Sequence, residues 1–258
     1  MTTNPVGVAV DDDRVATVEL RRPPNNFLDL ELLTAVVDAV LELDADPACR
    51  AVLLAAEGKH FCAGADPAGL RGRAPLAPGE VNPLYLQGAR LFAGTKPIVA
   101  AVQGAAIGAG LGLALVCDFR VGGPGSRFAA NFAAMGHHPG FGLTATLPAV
   151  VGPQPAAELL LTGRRIDGTT AASIGLVDRL VDDGDIRAAA HGLAAELAAA
   201  APLSVQAIRR TLRRDLAERF RAATVHESAE QERLRATADF AEGVTALRER
   251  RPARFEGR

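Results

Sequence analysis

The stretch of sequence that decides the fold is KPIVAAVQGAAIGAGLGLALVCDFRV, residues 96–121. It begins with a short β-branched run, PIVAAV (97–102), which passes through a glycine turn into a small-residue helix over 108–116. A second apolar run, DFRVGG (118–123), follows directly. A strand, a helix and another strand in this order predict an α/β core with parallel strands.

The segments on either side continue the alternation. Apolar residues flank the acidic turn at Asp11–Asp13, which is typical of a β-hairpin. The periodicity of the other segments predicts a helix over 28–43, a strand over 50–56, and helices over 84–92, 144–151, 188–200, 203–222 and 225–247. We therefore predict a core over 1–200 and a helical region over 201–258 that packs on the core and on neighbouring subunits.

The composition is typical of a soluble globular protein. Hydrophobic residues make up 48% and charged residues 22% of the 258 residues, which is enough to bury a sizeable core. A net charge of −2 and an aromatic content of 4% favour neither a basic field nor a stacking platform for nucleic acid. Segment 97–117 has about the length of a membrane span, but Gln103 and four glycines interrupt it, so we expect no span. Three cysteines without a CxxC pair, and an N-terminus without a signal-peptide pattern, predict a cytoplasmic protein.

Two glycine-rich loops are the first indication of chemistry. GKHFCAGAD (58–66) follows a predicted strand, and QGAAIGAGLG (103–112) leads from a strand into a helix. Small residues leave backbone N–H groups uncovered, and a helix N-terminus adds partial positive charge, so two such loops side by side can hold one carbonyl oxygen. Read separately, each loop is equally well explained by tight packing of a helix on a strand. The pattern G-x-G-x-G over 108–112 does not match the dinucleotide-binding pattern G-x-G-x-x-G.

The chain as a whole resembles the crotonase (enoyl-CoA hydratase/isomerase) superfamily. The resemblance is carried, in the family's order, by ELRRPPNNF (19–27), RAVLLAAEGKHFCAGAD (50–66), residues 96–121, LTGRRIDGTTAASIGLVDRLV (161–181) and DFAEGVTALRERRPARF (239–255). It implies a spiral of ββα units with a C-terminal helical region that forms a homotrimer, often as a dimer of trimers. It also implies an acyl-CoA or enoyl-CoA thioester as the ligand, with no cofactor beyond the CoA moiety of that substrate.

The same resemblance assigns residues to the binding site. In the family, two backbone N–H groups hold the thioester oxygen, and by motif position these belong to Ala65 and Ala109. A guanidinium in the C-terminal tail reaches the CoA phosphates, often from a neighbouring subunit. The residues expected at the CoA moiety are Pro24, Asn25, Ala63, Ala65, Asp66 and Arg250.

The catalytic positions depart from the family pattern. Hydratases of the family use two glutamates to handle water, and those positions are Gly112 and Phe132 here. Without a general base, water addition loses a factor of about 10²–10⁴. His137 and His138, in the loop where the family lines its acyl pocket, are the candidate acid/base groups, because histidine titrates near neutral pH.

Adjacent residues in an extended loop point in different directions, so we expect one of the two histidines to face the substrate. The alternative for each is a structural hydrogen bond to backbone. No third residue lies at metal-ligand spacing from this pair, and we predict no metal site.

Two functions remain open on this evidence. One is an enzyme of the hydratase/isomerase type, a lyase or an isomerase, that stabilises a thioester enolate in a backbone oxyanion hole but is not a standard hydratase. The alternative is a non-catalytic acyl-CoA-binding protein of the same fold. The sequence names neither the acyl group nor the reaction.

Overall fold

The structure, a computed structural model, describes residues 4–66 and 74–258. Its strands are β1 (Val6–Val10), β2 (Val15–Leu20), β3 (Ala51–Ala56), β4 (Ile98–Val102), β5 (Ala105–Ile107), β6 (Phe119–Gly122), β7 (Arg127–Ala129), β8 (Arg165–Asp167) and β9 (Arg179–Leu180). Six of them form one sheet in the order β1-β2-β3-β4-β6-β9, and three form a second sheet in the order β5-β7-β8. β1 and β2 are the predicted antiparallel hairpin, and from β2 to β9 the large sheet is parallel.

The helices cover the two faces and one end of this sheet. They are α1 (Leu30–Ala45), α2 (Pro83–Arg90), α3 (Ala109–Val116), α4 (Leu143–Val151), α5 (Pro153–Thr162), α6 (Gly168–Ser173), α7 (Ile186–Ala199), α8 (Pro202–Arg235) and α9 (Ala238–Glu249). A short 3₁₀ turn over Ala133–Met135 links β7 to the loop before α4. The predicted α/β class with parallel strands is confirmed.

The core lies on both faces of the large sheet. Every residue of β3 is buried, as expected for a parallel strand covered on two sides. Successive side chains of a strand point to opposite faces. Val52 and Leu54 accordingly join the cluster that contains the buried face of α1, whereas Leu53 joins the cluster that contains α7.

The C-terminal helices differ from the prediction in one respect. Two helices over 203–222 and 225–247 were expected, but α8 continues without a break to Arg235. Thr224 and Glu227 are buried, so tertiary contacts run through the expected break and override local propensity. The break between the two helices lies instead at Thr237. Its side chain accepts the Phe240 N–H at 3.2 Å and so caps the N-terminus of α9.

The C-terminal region packs on the core of its own chain. α8 crosses α2 and α4, and α9 lies on the 3₁₀ turn, so closely that a Cβ at Gly243 would lie 2.3 Å from the Met135 carbonyl oxygen. In the described part of the chain, no helix alone is long and apolar enough to cross a membrane; α7 and α8 meet that criterion only jointly, across a bend of 109°.

Candidate functional site

Backbone hydrogen bonds hold the two glycine-rich loops side by side. Cys62 donates its N–H to the Ala105 carbonyl at 2.9 Å and accepts the Ile107 N–H at 3.1 Å. A Cβ at Gly110 would lie 2.2 Å from the Cys62 carbonyl oxygen. Tight packing therefore explains the glycine at this position, and the same packing brings the two loops together.

The two predicted N–H donors meet at one cavity. Ala65 follows Gly64, which has a φ of +106°, and Ala109 is the first residue of α3. A first-turn N–H has no acceptor within its own helix and points outward from the N-terminus. Both alanines line the same cavity of about 420 Å³, a volume within the range of small-molecule sites.

Most of the cavity wall is apolar. Aliphatic residues come from the loop before α1 and from α1, α2 and β5, and three aromatic rings complete the apolar surface. The apolar residues are Leu28, Leu30, Leu84, Tyr85, Ile107, Phe132, Met135, Phe141 and Leu247. Leu247 belongs to α9, and Gln231 and Arg235 reach the same cavity from α8, so the C-terminal region contributes to the site.

Aromatic rings lie at or beside positions 112 and 132, where the family resemblance predicts the two glutamates of a hydratase. A Cβ at Gly112 would lie 2.6 Å from Cδ1 of Phe141, so the ring of Phe141 fills the space into which residue 112 would project. Phe132 is 8% exposed and lies in the cavity wall, with Cζ 3.6 Å from the place of a Cβ at Gly108.

Two carboxylates are among the described residues of the cavity wall, Asp29 and Asp66. Asp29 caps α1 by accepting the Leu32 N–H at 2.8 Å, and it also forms an ion pair with Arg22. Asp66 is exposed at the outer end of the first glycine loop. Neither stands at the position of a family glutamate.

The two candidate histidines point in different directions, as expected. His137 is buried and lines the cavity, and its ring centroid lies 4.6 Å from that of Phe240, with the two rings tilted by 43°. His138 lies outside the residues that line the cavity; its Nδ1 is 2.8 Å from the Pro139 carbonyl oxygen, which is the structural alternative considered for it. His137 is therefore the one positioned to meet a ligand.

A buried hydrogen-bond chain supports the loop that carries His137. The Tyr85 hydroxyl donates to Oε1 of Gln231 at 2.7 Å, and Nε2 of Gln231 donates to the His138 carbonyl at 2.9 Å. Tyr85, Gln231 and Phe141 were not among the site residues predicted from sequence. Tyr85 is the one tyrosine of the chain, which could have drawn attention to it, but no local pattern marks the other two.

Some of the residues predicted at the CoA moiety line the cavity, and others do not. The loop containing Pro24 and Asn25 lies against the first glycine loop, because Ala63 donates its N–H to the Asn25 carbonyl at 2.9 Å. Ala63 and Asp66 line the cavity together with Ala65. Arg250 is exposed at the end of α9 and lies outside the cavity wall of its own chain.

Comparison with known proteins identifies the family. Residues 11–258 match the family described as enoyl-CoA hydratase/isomerase. A protein described as a putative enoyl-CoA hydratase from Thermus thermophilus is 36% identical over 257 residues, covering 96% of this chain and 100% of its own. A protein described as a crotonyl-CoA hydratase from Syntrophomonas wolfei is 32% identical over 247 residues and covers 95% of each chain.

Solved structures share the fold over nearly the whole length. An enoyl-CoA hydratase/isomerase from Pseudoalteromonas atlantica has a TM-score of 0.87 at 32% identity, covering 98% of this chain and 100% of its own. The chain therefore belongs to the enoyl-CoA hydratase/isomerase family, the crotonase superfamily. It has the crotonase fold and is an acyl-CoA enzyme of this family.

Proposed function

We propose that the protein binds an acyl-CoA thioester through the N–H groups of Ala65 and Ala109, stabilises its enolate, and uses His137 for proton transfer rather than adding water. The observation that carries the proposal is the cavity itself. It combines both glycine loops with a buried histidine, and it has no carboxylate at positions 112 and 132.

The chemistry follows from where charge develops. Removing a proton from the carbon next to a thioester moves negative charge onto the thioester oxygen. Two preoriented N–H donors at that oxygen stabilise this charge, which is the usual action of an oxyanion hole. The imidazole of His137 then accepts the proton and returns it, to the same carbon or to another.

Water addition finds no support at the same site. It requires a water molecule held against the double bond and a group that removes its proton. Phe132 and Phe141 present apolar rings where the two carboxylates would stand. A water placed against these rings lacks the carboxylate acceptors, at a cost of about 1–3 kcal/mol for each unmet polar group.

Proton exchange tests this proposal without knowledge of the final product. The purified protein is incubated with butyryl-CoA in D₂O, and loss of the Cα protons is followed by NMR. We expect exchange with the wild type and a loss of about 10²–10⁴-fold in H137A, the usual contribution of a general base. H138A is the matched control and is expected to exchange within a few-fold of the wild type.

Two results would overturn the proposal in different ways. Unchanged exchange in H137A would remove His137 as the base. Tight binding of butyryl-CoA with no exchange at all would reduce the protein to an acyl-CoA-binding protein, the alternative that the filled glutamate positions favour.

Hydration of crotonyl-CoA is expected at background. Introducing glutamates at positions 112 and 132 tests whether the missing carboxylates are the reason for this low hydration activity. G112E alone is expected to fold poorly, because its Cβ would meet Phe141 at 2.6 Å, whereas G112E/F132E/F141A has room for both carboxylates and is expected to gain weak hydration. Robust hydration by the wild type would contradict the assignment of both positions.

We further propose that the protein assembles as a homotrimer or a dimer of trimers, in which Arg250 reaches the CoA phosphates of a neighbouring subunit. Arg250 is exposed and is not among the residues that line its own cavity, and Leu203, Ile208 and Leu212 expose apolar surface along α8. Sedimentation equilibrium measures the assembly. R250A is expected to weaken CoA binding while leaving the mass of the assembly unchanged.

A further inference from the structure

Phe141 has a backbone conformation that aromatic residues rarely adopt. Its φ is +59°, and the next residue, Gly142, has a φ of +66°. A left-handed conformation at a bulky residue persists only where the surroundings enforce it, and such residues cluster at functional sites. The ring of Phe141 is therefore a candidate for a functional role.

Buried hydrogen bonds enforce this conformation from α8. Glu227, fully buried, accepts the Gly142 N–H at 2.7 Å and the Thr144 N–H at 3.0 Å. Its Oε1 also accepts the Thr144 hydroxyl at 2.6 Å. These bonds fix the backbone immediately after Phe141, and with it the direction of the Phe141 side chain.

The ring of Phe141 forms part of the cavity wall. The ring lies edge-to-face against Tyr85 at 6.0 Å and against Phe220 at 6.1 Å. It also occupies the volume above two glycines, since a Cβ would lie 2.6 Å away from it at Gly112 and 2.9 Å away at Gly88. Phe141 is thus a large side chain between two positions that have none.

We propose that Phe141 is the specificity-determining residue that sets the depth of the acyl pocket and so limits the length of the acyl chain. The inference rests on the proposed function, because it takes the cavity to be the acyl site. The limit on chain length comes from the volume of the Phe141 ring. Gly88 and Gly112 leave room for this ring, and Tyr85 and Phe220 hold it in place.

Binding of a series of saturated acyl-CoA thioesters, from butyryl-CoA to dodecanoyl-CoA, tests the proposal by calorimetry. In the wild type, affinity is expected to rise by about fourfold for each methylene that is buried, and to stop rising once the chain reaches the ring. In F141A the rise is expected to continue for at least two more methylenes, about sixteenfold in affinity. F141L, which keeps more of the side chain, is expected to extend the limit by less.

Two further variants distinguish the effect of the volume that the Phe141 ring occupies from a general loss of packing in the aromatic group. F92A removes a ring from the same aromatic group but outside the cavity wall, and it is expected to leave the limit where it is. G112L/F141A returns a side chain to the same volume from α3, and it is expected to restore the shorter limit.

An unchanged limit in both F141A and F141L would overturn the inference, as would an equal extension in F92A. Failure of the wild type to bind any thioester of the series would overturn the proposed function instead, so the two failures are distinguishable.

Discussion

The two sides of the cavity differ in what they offer a ligand. The glycine-loop side, with Ala65 and Ala109, offers backbone N–H groups. The aromatic side, with Phe132 and Phe141, has no carboxylate at positions 112 and 132. Under the proposed function, polarisation of a thioester and delivery of water are separate parts of the site, and this chain keeps only the first.

The two sides are also anchored by different buried carboxylates. Asp118 follows α3 on the glycine-loop side and accepts hydrogen bonds from Arg209 at 2.7 Å and Arg213 at 2.6 Å. Glu227 holds the backbone beside Phe141 on the aromatic side. Burial raises the pKa of Asp118, but the two guanidinium groups outweigh burial and hold that pKa below its usual value. Burial raises the pKa of Glu227 above its usual value, and hydrogen bonds from Thr144 and Gly142 offset only part of this.

Removing the charge of Asp118 is expected to have the largest effect on stability. D118N leaves the buried guanidinium group of Arg209 and the partly buried one of Arg213 without their carboxylate, which costs about 3–5 kcal/mol. The pKa of Asp118 is lowered in the folded protein. The stability advantage of the wild type over D118N is therefore present above pH 3.8 and is lost as pH falls through the folded-state pKa. Urea unfolding at several pH values measures this, with D215N, an exposed carboxylate of α8, as the control. Equal stability of D118N and wild type at neutral pH would contradict the account.

A methyl group introduced between the two glycine-rich loops is expected to have the next largest effect on stability. The Cβ of G110A would lie 2.2 Å from the Cys62 carbonyl oxygen, and such overpacking costs about 1–3 kcal/mol. G192A is the control, since nothing lies within 4 Å of that Cβ on α7, and it is expected to stabilise by up to about 1 kcal/mol. Thermal unfolding of the two variants distinguishes them, and a G110A protein as stable as G192A would show that the loops are not packed as described.

Glu227 is expected to give the smallest effect, with a pH dependence opposite to that of Asp118. Its folded pKa is raised, so the stability of the wild type relative to E227Q is greatest below pH 4.5 and falls as pH rises through the folded value. Each unit of the shift corresponds to about 1.4 kcal/mol. Urea unfolding of both proteins between pH 4 and about pH 8 measures the difference. A difference that grows with pH would contradict the assignment, and E218Q, exposed on the same helix, is the control.

Much of the glycine-loop side could be predicted from sequence because its determinants are local. The β-branched run before Gly104, the glycine turn and the small-residue helix follow one another in the chain, and each has a propensity of its own. The loop at Ala63 to Asp66 could be assigned in the same way. The family resemblance then added the pairing of Ala65 with Ala109, which no single loop indicates.

The aromatic side could be predicted only in part because its contacts are long-range. The identities at 112 and 132 show that the carboxylates are absent, but not that Phe141 fills the space above Gly112. Gln231 reaches the His137 loop from a helix that the sequence analysis divided at 223–224, and burial of Thr224 and Glu227 keeps that helix whole. The choice between His137 and His138 likewise depends on which ring turns inward, a matter of tertiary packing.

The most direct test of the central claim is a crystal structure with butyryl-CoA bound. We expect a thioester oxygen about 2.7–3.1 Å from the backbone nitrogens of both Ala65 and Ala109, with the butyryl chain directed toward Phe141. A thioester oxygen more than about 3.5 Å from both nitrogens, beyond hydrogen-bond reach, would contradict it.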